Sequence, residues 1–340
     1  MLTEVQQRKA GLVAGRRSDP LAGALVGERW VVRSWLPDGS ATDVIGWIEA
    51  LDTTSVRLSS IQHQQPSQVI DRSKIITARR APAAAGGPDP RRISADDLQR
   101  HALLGWLVWH QPLGEWTLRA AGGFTRRANS CHAVGDPGMP IRQAADQIIR
   151  FAAAHDIAPL AQVIEESSEE HALRGLGWVS RDQPTDVLVT RLADFLANQP
   201  VKPAVKISER LMPAWMEAYQ HSRPNPGEPA IVRKILEGSP PRAFASVVGR
   251  EPGDHSGLVA IARGHRTEDW LGLAAVWTRP DHRRRGLATA MTAALGHWAA
   301  RQGARYAYIH AAIANEPAVA MYTKLDFVHH HRYVYLAPAR

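Results

Sequence analysis

Between Leu271 and Gly303 the chain reads as strand, arginine-rich turn and helix, an order that a sheet layered against helices accommodates. Leu271-Gly-Leu-Ala-Ala-Val-Trp-Thr278 is a buried-strand pattern. It stops at Pro280, which has no N–H for a sheet ladder. Arg283-Arg284-Arg285-Gly286-Leu287-Ala288 then opens a helix in which Leu287, Met291, Leu295 and Trp298 recur at helical spacing, and Gly303 closes it. A turn of this kind suits an anion. Gly286 lets the backbone approach closely, the first helical N–H groups lack intrahelical acceptors, and the helix dipole and arginine forks add attraction. The spacing fits neither Gly-x-Gly-x-x-Gly nor Gly-x-x-x-x-Gly-Lys-Ser/Thr, so the dinucleotide and P-loop readings fail. For the hexapeptide alone, a solvated basic turn is the plain alternative.

The context is more specific. Tyr306-Ala-Tyr-Ile-His-Ala-Ala312 reads as the next strand, and Asn315, Ala318, Met321 and Tyr322 follow on a short helix ending in Leu325-Asp326-Phe327. This ordered set resembles the GNAT superfamily of acetyl-CoA-dependent N-acetyltransferases over roughly residues 205–336. The shared pieces are an Arg-x-x-Gly-x-Ala loop after a strand with proline, then Asn-x-x-Ala-x-x-x-Tyr, then a Leu-Gly-Phe end. Asp326 stands where the family usually has Gly, and Asp tolerates a left-handed backbone better than most residues.

The resemblance implies an α+β fold, a mixed sheet flanked by helices, and acetyl-CoA as cofactor. It places the pyrophosphate on Arg283, Arg284, Arg285, Gly286, Leu287 and Ala288. It implies a bulged, splayed strand whose amides at Val276, Trp277 and Thr278 hold the pantetheine and the thioester oxygen. Asn315 would bond the pantetheine arm, cap its helix, or do both. Tyr322 would protonate the leaving thiolate; a phenol stays protonated at neutral pH. A half-buried core aromatic is the other reading of Tyr322.

No base is evident, because Leu271–Thr278 carries no acid. Glu268, Asp269 and His310 are close in sequence or on the adjacent strand; Glu268 is preferred, and a water chain is the alternative. Residues 209–242 are expected to form the acceptor pocket, with Trp215, Glu217 and Tyr219 lining it and Glu217 holding an amine cation. Trp215 and Tyr219 read equally well as core. His329-His-His331 with His282 does not suggest a metal, since adjacent strand residues alternate faces.

At 340 residues the chain suggests two or three domains, and 44% hydrophobic with 22% charged residues is a globular balance. Cys131 is the one cysteine, which excludes an intrachain disulfide. No apolar run reaches membrane-spanning length, and the N-terminus lacks the apolar core of a secretory signal, so the expected location is cytoplasmic. The formal charge is +8, and six of the 41 basic residues are lysine. Cofactor phosphates, nucleic acid or an arginine-rich codon bias could each account for it.

Residues 1–23 read as an N-terminal arm. Residues 24–80 hold five short strand patterns and resemble the SH3-like barrel that precedes some actinobacterial GNAT proteins, expected here to pack or dimerise. The Ala81-Pro-Ala-Ala-Ala-Gly-Gly-Pro-Asp-Pro90 stretch opens a linker, 81–92. Residues 93–200 echo the later half and read as a degenerate GNAT-like domain before the catalytic one at 201–340. In place of the arginine turn this half has Gly135-Asp-Pro-Gly-Met-Pro140, short of donors and wrong in charge. Phe124-Thr-Arg-Arg-Ala-Asn-Ser130 reads as a strand, part of Gly123–Ala133, whose Arg126, Arg127 and Asn129 would face substrate or solvent. The expected activity is acetyl transfer to a primary amine, on a small molecule or a protein, by a monomer or homodimer with no membrane partner. Two alternatives are a non-catalytic acyl-CoA sensor and a nucleic-acid-associated protein using the barrel.

Overall fold

The short apolar segments after residue 24 pair into one antiparallel sheet in the computed structural model. The structure describes residues 19–60, 66–199, 202, 204–223, 227–238, 241–249 and 257–339. Most of the expected N-terminal arm lies outside these residues. Two compact units form, Met1–Pro82 and Ala83–Arg340.

The first unit contains β1 (Arg29–Trp35), β2 (Ala41–Leu51), β3 (Ser55–Ser60), β4 (Gln68–Asp71) and β5 (Ile75–Arg80), in the order β4-β3-β2-β1-β5. Alternation sends Trp30, Val32, Ile48, Val56, Leu58 and Ile70 into one core. Gly39, at φ 83°, supplies the left-handed residue of the β1–β2 turn. β4 and β5 end the strand path and do not pair with each other among the described residues. The unit is therefore a five-stranded sheet rather than a closed barrel.

The second unit is a twelve-stranded mixed sheet. Its earlier strands are β6 (Trp109–Leu113), β7 (Trp116–Ala120), β8 (Cys131–His132), β9 (Ala161–Ile164), β10 (Trp178–Ser180) and β11 (Thr185–Arg191). The later ones are β12 (Val205–Ser208), β13 (Arg242–Val248), β14 (Leu258–Thr267), β15 (Trp270–Thr278), β16 (Tyr306–Ala312) and β17 (Val328–Pro338). The helices are α1 (Ala95–Leu103), α2 (Ile141–Ala154), α3 (Ser168–Gly175), α4 (Leu192–Phe195), α5 (Pro213–His221), α6 (Pro229–Glu237), α7 (Leu287–Arg301) and α8 (Glu316–Thr323). None of them is long and apolar enough to cross a membrane.

Strand order is β12-β13-β14-β15-β16-β11-β17-β9-β8-β7-β6, with β10 also on β17. The sheet therefore does not divide at residue 200. β11, from the earlier segment, sits between β16 and β17 of the later one. β17 in turn sits between β11 and β9. Its 11 residues serve both halves: Val328–Tyr333 pairs with β11, Tyr333–Leu336 with β9, and Leu336–Pro338 with β10. α1 covers one face, packing Leu98 and Ala102 on Val187, Tyr308 and Tyr333. α7 covers the opposite face. Every residue from Ala290 to Ala300 in it is buried, including Met291, Leu295 and Trp298 at the expected spacing. Its alanines let it lie close to the strands.

The 123–133 segment departs from the strand expected there. Only Cys131–His132 pairs, and Arg126–Ala128 is a single turn of 3-10 helix. Asn129 is the cause. Its Oδ1 accepts from Ala121 N (2.7 Å) and Gly123 N (2.9 Å), while its Nδ2 donates to Phe124 O (2.6 Å) and Thr125 O (2.9 Å). A side chain that takes over four backbone partners folds the segment on itself.

Because β17 completes both halves, a chain lacking Val328–Pro338 should fail to fold in either. Loss of strand circular dichroism from the whole 83–340 unit is the expected outcome. A stable 83–200 remnant would contradict it.

Candidate active site

Two strands that run together and then part create the site. β15 and β16 pair in parallel from Trp270↔Tyr306 to Leu273↔Ile309 and no further, although β15 continues to Thr278 and β16 to Ala312. On its other edge β15 slips against β14. Ile261 faces Trp277 and Arg263 faces Ala274, so one β14 residue opposes two on β15. Ala275 takes φ 54°, the mark of the bulge. The bulge turns both Ala274 and Trp277 to the α1 and α5 side, where they pack in neighbouring apolar clusters. Ala275 to Thr278 are part-exposed. The backbone of Ala274–Thr278 thus lacks a strand partner on the β16 side, forming a fork with reachable amides.

β15 leads directly into the arginine turn. Arg279 Nε donates to Asp281 Oδ1 at 2.7 Å, and His282 Nδ1 lies 3.0 Å from the same oxygen. Arg279 first, then His282, hold the Asp281 carboxyl well below the ordinary carboxylate range. Arg283 Nε donates to Thr278 O at 3.2 Å and Arg285 to Asp281 O at 3.3 Å, which fixes the turn's path. Arg283, Arg284, Arg285 and Gly286 are exposed. Gly286 is left-handed, at φ 73°, and a Cβ built on it would meet nothing within 4 Å. α7 begins there with no side-chain cap, so its first N–H groups, from Leu287 and Ala288 onward, have neither an intrahelical acceptor nor a capping side chain. The related turn of the earlier half is different. Carboxylates already take its donors: Gly135 N bonds Glu169, Asp136 N bonds Glu115, and Gly138 N bonds Asp136.

The other expected residues divide. Asn315 caps α8, its Oδ1 accepting from Ala318 N at 3.3 Å. Tyr322 is buried, edge-on to Phe327 at 5.2 Å. Burial pushes its phenol above the ordinary value, with the Thr292 hydroxyl of α7 opposing. Asp326 adopts φ 61°, as its glycine-like position requires. His310 is the first residue of β16 past the last pair with β15. It is 8% exposed, and neither ring nitrogen has a partner among the described residues.

Glu268 is misplaced for a base. It sits at φ 53° in the β14–β15 turn, before Trp270, with its side chain 77% exposed. At about 3.3 Å per strand residue, that is the far end of β15 from Val276–Thr278. Trp215 and Tyr219 are core rather than pocket lining. They stack at 5.4 Å, and Trp215 Nε1 donates to Ala245 O at 3.0 Å. Glu217, on the open side of α5, does line a cavity of about 140 Å³ with His221, Trp277 and Arg279. Of the three adjacent histidines, His329 reaches Asp186, His330 reaches Ile93 O and His331 reaches Gln99, and the Nδ1 atoms of His330 and His331 also meet at 2.7 Å.

An interior cluster beside the fork was not legible in the sequence. Gln99, Trp106, Arg119, Arg127, His132, Gln162 and His310 converge there from both halves. A hydrogen-bonded row links His331 to Gln99 (2.8 Å), Gln99 to Gln162 (3.0 Å) and Gln162 to Arg119 (2.9 Å). Burial pulls the guanidinium groups of Arg119 and Arg263 down to about 10, so both stay charged at neutral pH. Of the arginines expected in the 124–130 segment, Arg126 points out to Asp182 at 2.8 Å, and Arg127 turns in over the Trp106 ring at 4.8 Å.

Residues 97–336 match the family model described as "Probable histone acetyltransferase Rv0428c C-terminal". The Bacillus subtilis (strain 168) protein named uncharacterized N-acetyltransferase YobR is 24% identical over 245 residues, 69% of this chain and 96% of that one. The solved structure of a GCN5-related N-acetyltransferase from Kribbella flavida aligns with a TM-score of 0.50 at 18% identity. That alignment covers 74% of this chain and 95% of that chain, a likeness of fold.

Burial holds His132, His265 and His310 well below their ordinary value, hence neutral in the folded state. The unfolded chain protonates them near about pH 6.5, so below that pH it binds more protons than the fold does. Their contribution is present above that pH and lost as pH falls, about 1.4 kcal/mol per unit for each histidine. Urea unfolding should therefore weaken steeply between about pH 6.5 and 5, and His132→Gln should flatten the slope by one such step. A flat wild-type profile would show that these rings are not held neutral.

Proposed function

We propose that this chain, which belongs to the GNAT acetyltransferase family matched over residues 97–336 and is an N-acetyltransferase, moves an acetyl group from acetyl-CoA to a primary amine. The observation that carries the proposal is the fork between β15 and β16 leading straight into the Gly286 turn and the uncapped start of α7. The fit to the cofactor is local. The open approach over Gly286 suits a pyrophosphate, exposed Arg283, Arg284 and Arg285 match its charge, and the Leu287 and Ala288 amides point outward. Acetyl-CoA would supply the activated thioester carbonyl. The carboxylate-filled Gly135 turn leaves the chain one such cradle rather than two.

The amides of Val276, Trp277 and Thr278 would bind the pantetheine and stabilise the oxyanion at the fork. Tyr322, protonated and close to Thr292, would give its proton to the departing thiolate. His310, neutral at the fork, replaces Glu268 as the group to accept a hydrogen bond from the incoming amine. Asn315 acts as a cap and leaves cofactor contact to the loop. The family's printed description concerns histone, so a protein lysine is one member of the acceptor class. The five-stranded first unit is read as an SH3-like module that packs rather than reacts.

Two substitutions test this reading. Gly286→Glu puts bulk and negative charge at the cradle, on a left-handed backbone that strains any side chain. Titration of the folded variant should detect no acetyl-CoA binding, and unchanged affinity would remove the cofactor assignment. Tyr322→Phe keeps the ring against Phe327 and deletes the proton donor. Turnover should drop about 10²–10⁴-fold with acetyl-CoA affinity nearly constant. A loss below about tenfold, measured where chemistry limits the rate, would leave Tyr322 a core residue.

A further inference from the structure

We infer that the acetyl acceptor carries a carboxylate, gripped beside the fork by Arg127; the inference rests on the acetyl-transfer reading. Three guanidinium groups gather on this face of the sheet: Arg119, 2% exposed, Arg263, 0% exposed, and half-buried Arg127. Among the described residues none of the three has a carboxylate partner. Arg119 spends its donors on Ser130 and Gln162; Arg263 gives Nε to Leu236 O and Nη1 to Gly105 O, while its Nη2 is buried without a partner among the described residues. Arg127 makes no hydrogen bond among the described residues and sits over the Trp106 ring at 4.8 Å. Stacking fixes the plane of a guanidinium while leaving its forked edge free.

The surrounding groups also await a partner. His132 Nε2 and both nitrogens of His310 are buried without one, at 2% and 8% residue exposure. Leaving a buried polar atom unpaired is costly, so several beside an unopposed positive charge mark a place for a donor-seeking anion. Neutral imidazoles still offer one N–H each.

Location ties the cluster to the chemistry. Trp106 packs on Ala274, the first β15 residue past the last pair with β16, and His310 is the first on β16. Both lie on the α1 face, opposite α7. A carboxylate held there would leave its amine at the fork. Once it offsets part of the positive field, the remainder still opposes a second cation and favours the neutral, nucleophilic amine. A lysine side chain brings no such anion.

The turn that bears Arg127 is strained. Thr125, β-branched, stands at φ 59° between Gly122–Gly123 and Asn129. The side chains close on one another and leave no room for a water-sized molecule between them, so the end of a ligand enters only as this turn shifts.

The test uses the full chain with CoA present. The probes are N-acetylglycine, N-acetyl-β-alanine and N-acetyl-γ-aminobutyrate, each beside its primary carboxamide, with binding followed by calorimetry. At least one carboxylate should bind about tenfold or more tightly than its amide, the size of a charged hydrogen bond. Arg127→Gln should erase that preference without changing CoA affinity. Arg127→Lys, which keeps the charge and the stem over Trp106, should retain the fold and part of the preference. No carboxylate preference in the wild type, or one that survives Arg127→Gln, overturns the inference. So does wild-type acetylation of a lysine peptide as fast as that of the corresponding free amino acids. A protein that binds carboxylate and not CoA would instead overturn the transfer reading and leave the anion site standing.

Discussion

The pairing of β17 with β11 on one edge and β9 on the other is the interaction on which the second unit depends. Remove it, and β16 faces β11 with nothing beyond, while β9 becomes an edge strand with open donors and acceptors. Val334 and Leu336 of β17 lie in the core of the earlier half, with Trp116, Leu118 and Ile148. Tyr333 and Tyr335, on the other side of the same strand, close the core beneath α1. One strand therefore fills two cores through its two faces. The chemistry-bearing fork and the Arg127 turn come from segments about 150 residues apart, and β17 is what brings them side by side.

Just before the fork, β14, β15 and β16 are held together by a bond that skips a strand. Tyr308 Oη and His265 Nε2 are 2.9 Å apart, over Gly272 of β15. A Cβ on Gly272 would run into both rings. The glycine is thus required by this crossing rather than by its own backbone angle. One residue later the β15–β16 ladder stops, and the Ala275 bulge swings the strand away. A tight clamp followed at once by a bulge makes the opening abrupt. The amides past it are offered at a fixed place instead of being lost to fraying.

How much of this the sequence carried depends on how local each cause is. The strand, turn and helix over 270–301, the strand at 306–312 and the Asn315 cap follow from short-range periodicity, proline and glycine placement, and they are found where those signals put them. Asp326 in the left-handed region is equally local. Glu268 is a different matter. Sequence proximity to β15 placed it near the site, yet strand geometry carries it to the opposite end. The strand pattern at 123–133 was overridden by one Asn129 side chain bonding back to its own segment. Trp215 and Tyr219 could be core or pocket until their stack on each other, the edge contact of Trp215 with Phe244 and its bond to Ala245 O decided it. The exchange of β11 and β17 had no sequence signature, because either strand's alternation is compatible with several neighbours.

The electrostatics of the two halves now separate by depth as well as by position. At the surface, Arg283, Arg284 and Arg285 stand in water beside a glycine and a helix start, where a multiply charged phosphate loses little hydration on binding. In the interior, Arg119 is bonded to Ser130 and Gln162, Arg263 is bonded to two carbonyls with its Nη2 left over, and Arg127 sits over an indole. Burying an unopposed charge is costly, and natural interiors rarely keep one without a partner. In the earlier half the donors of the Gly135 turn are already bonded to Glu115, Glu169 and Asp136. Its Arg127 turn brings a positive charge beside the fork of the later half. A cradle emptied of donors and a positive residue held at the other half's reaction point fit a division of labour. Under the proposed function the later half would hold the cofactor, and the earlier half, tied to it by β17, would read the acceptor.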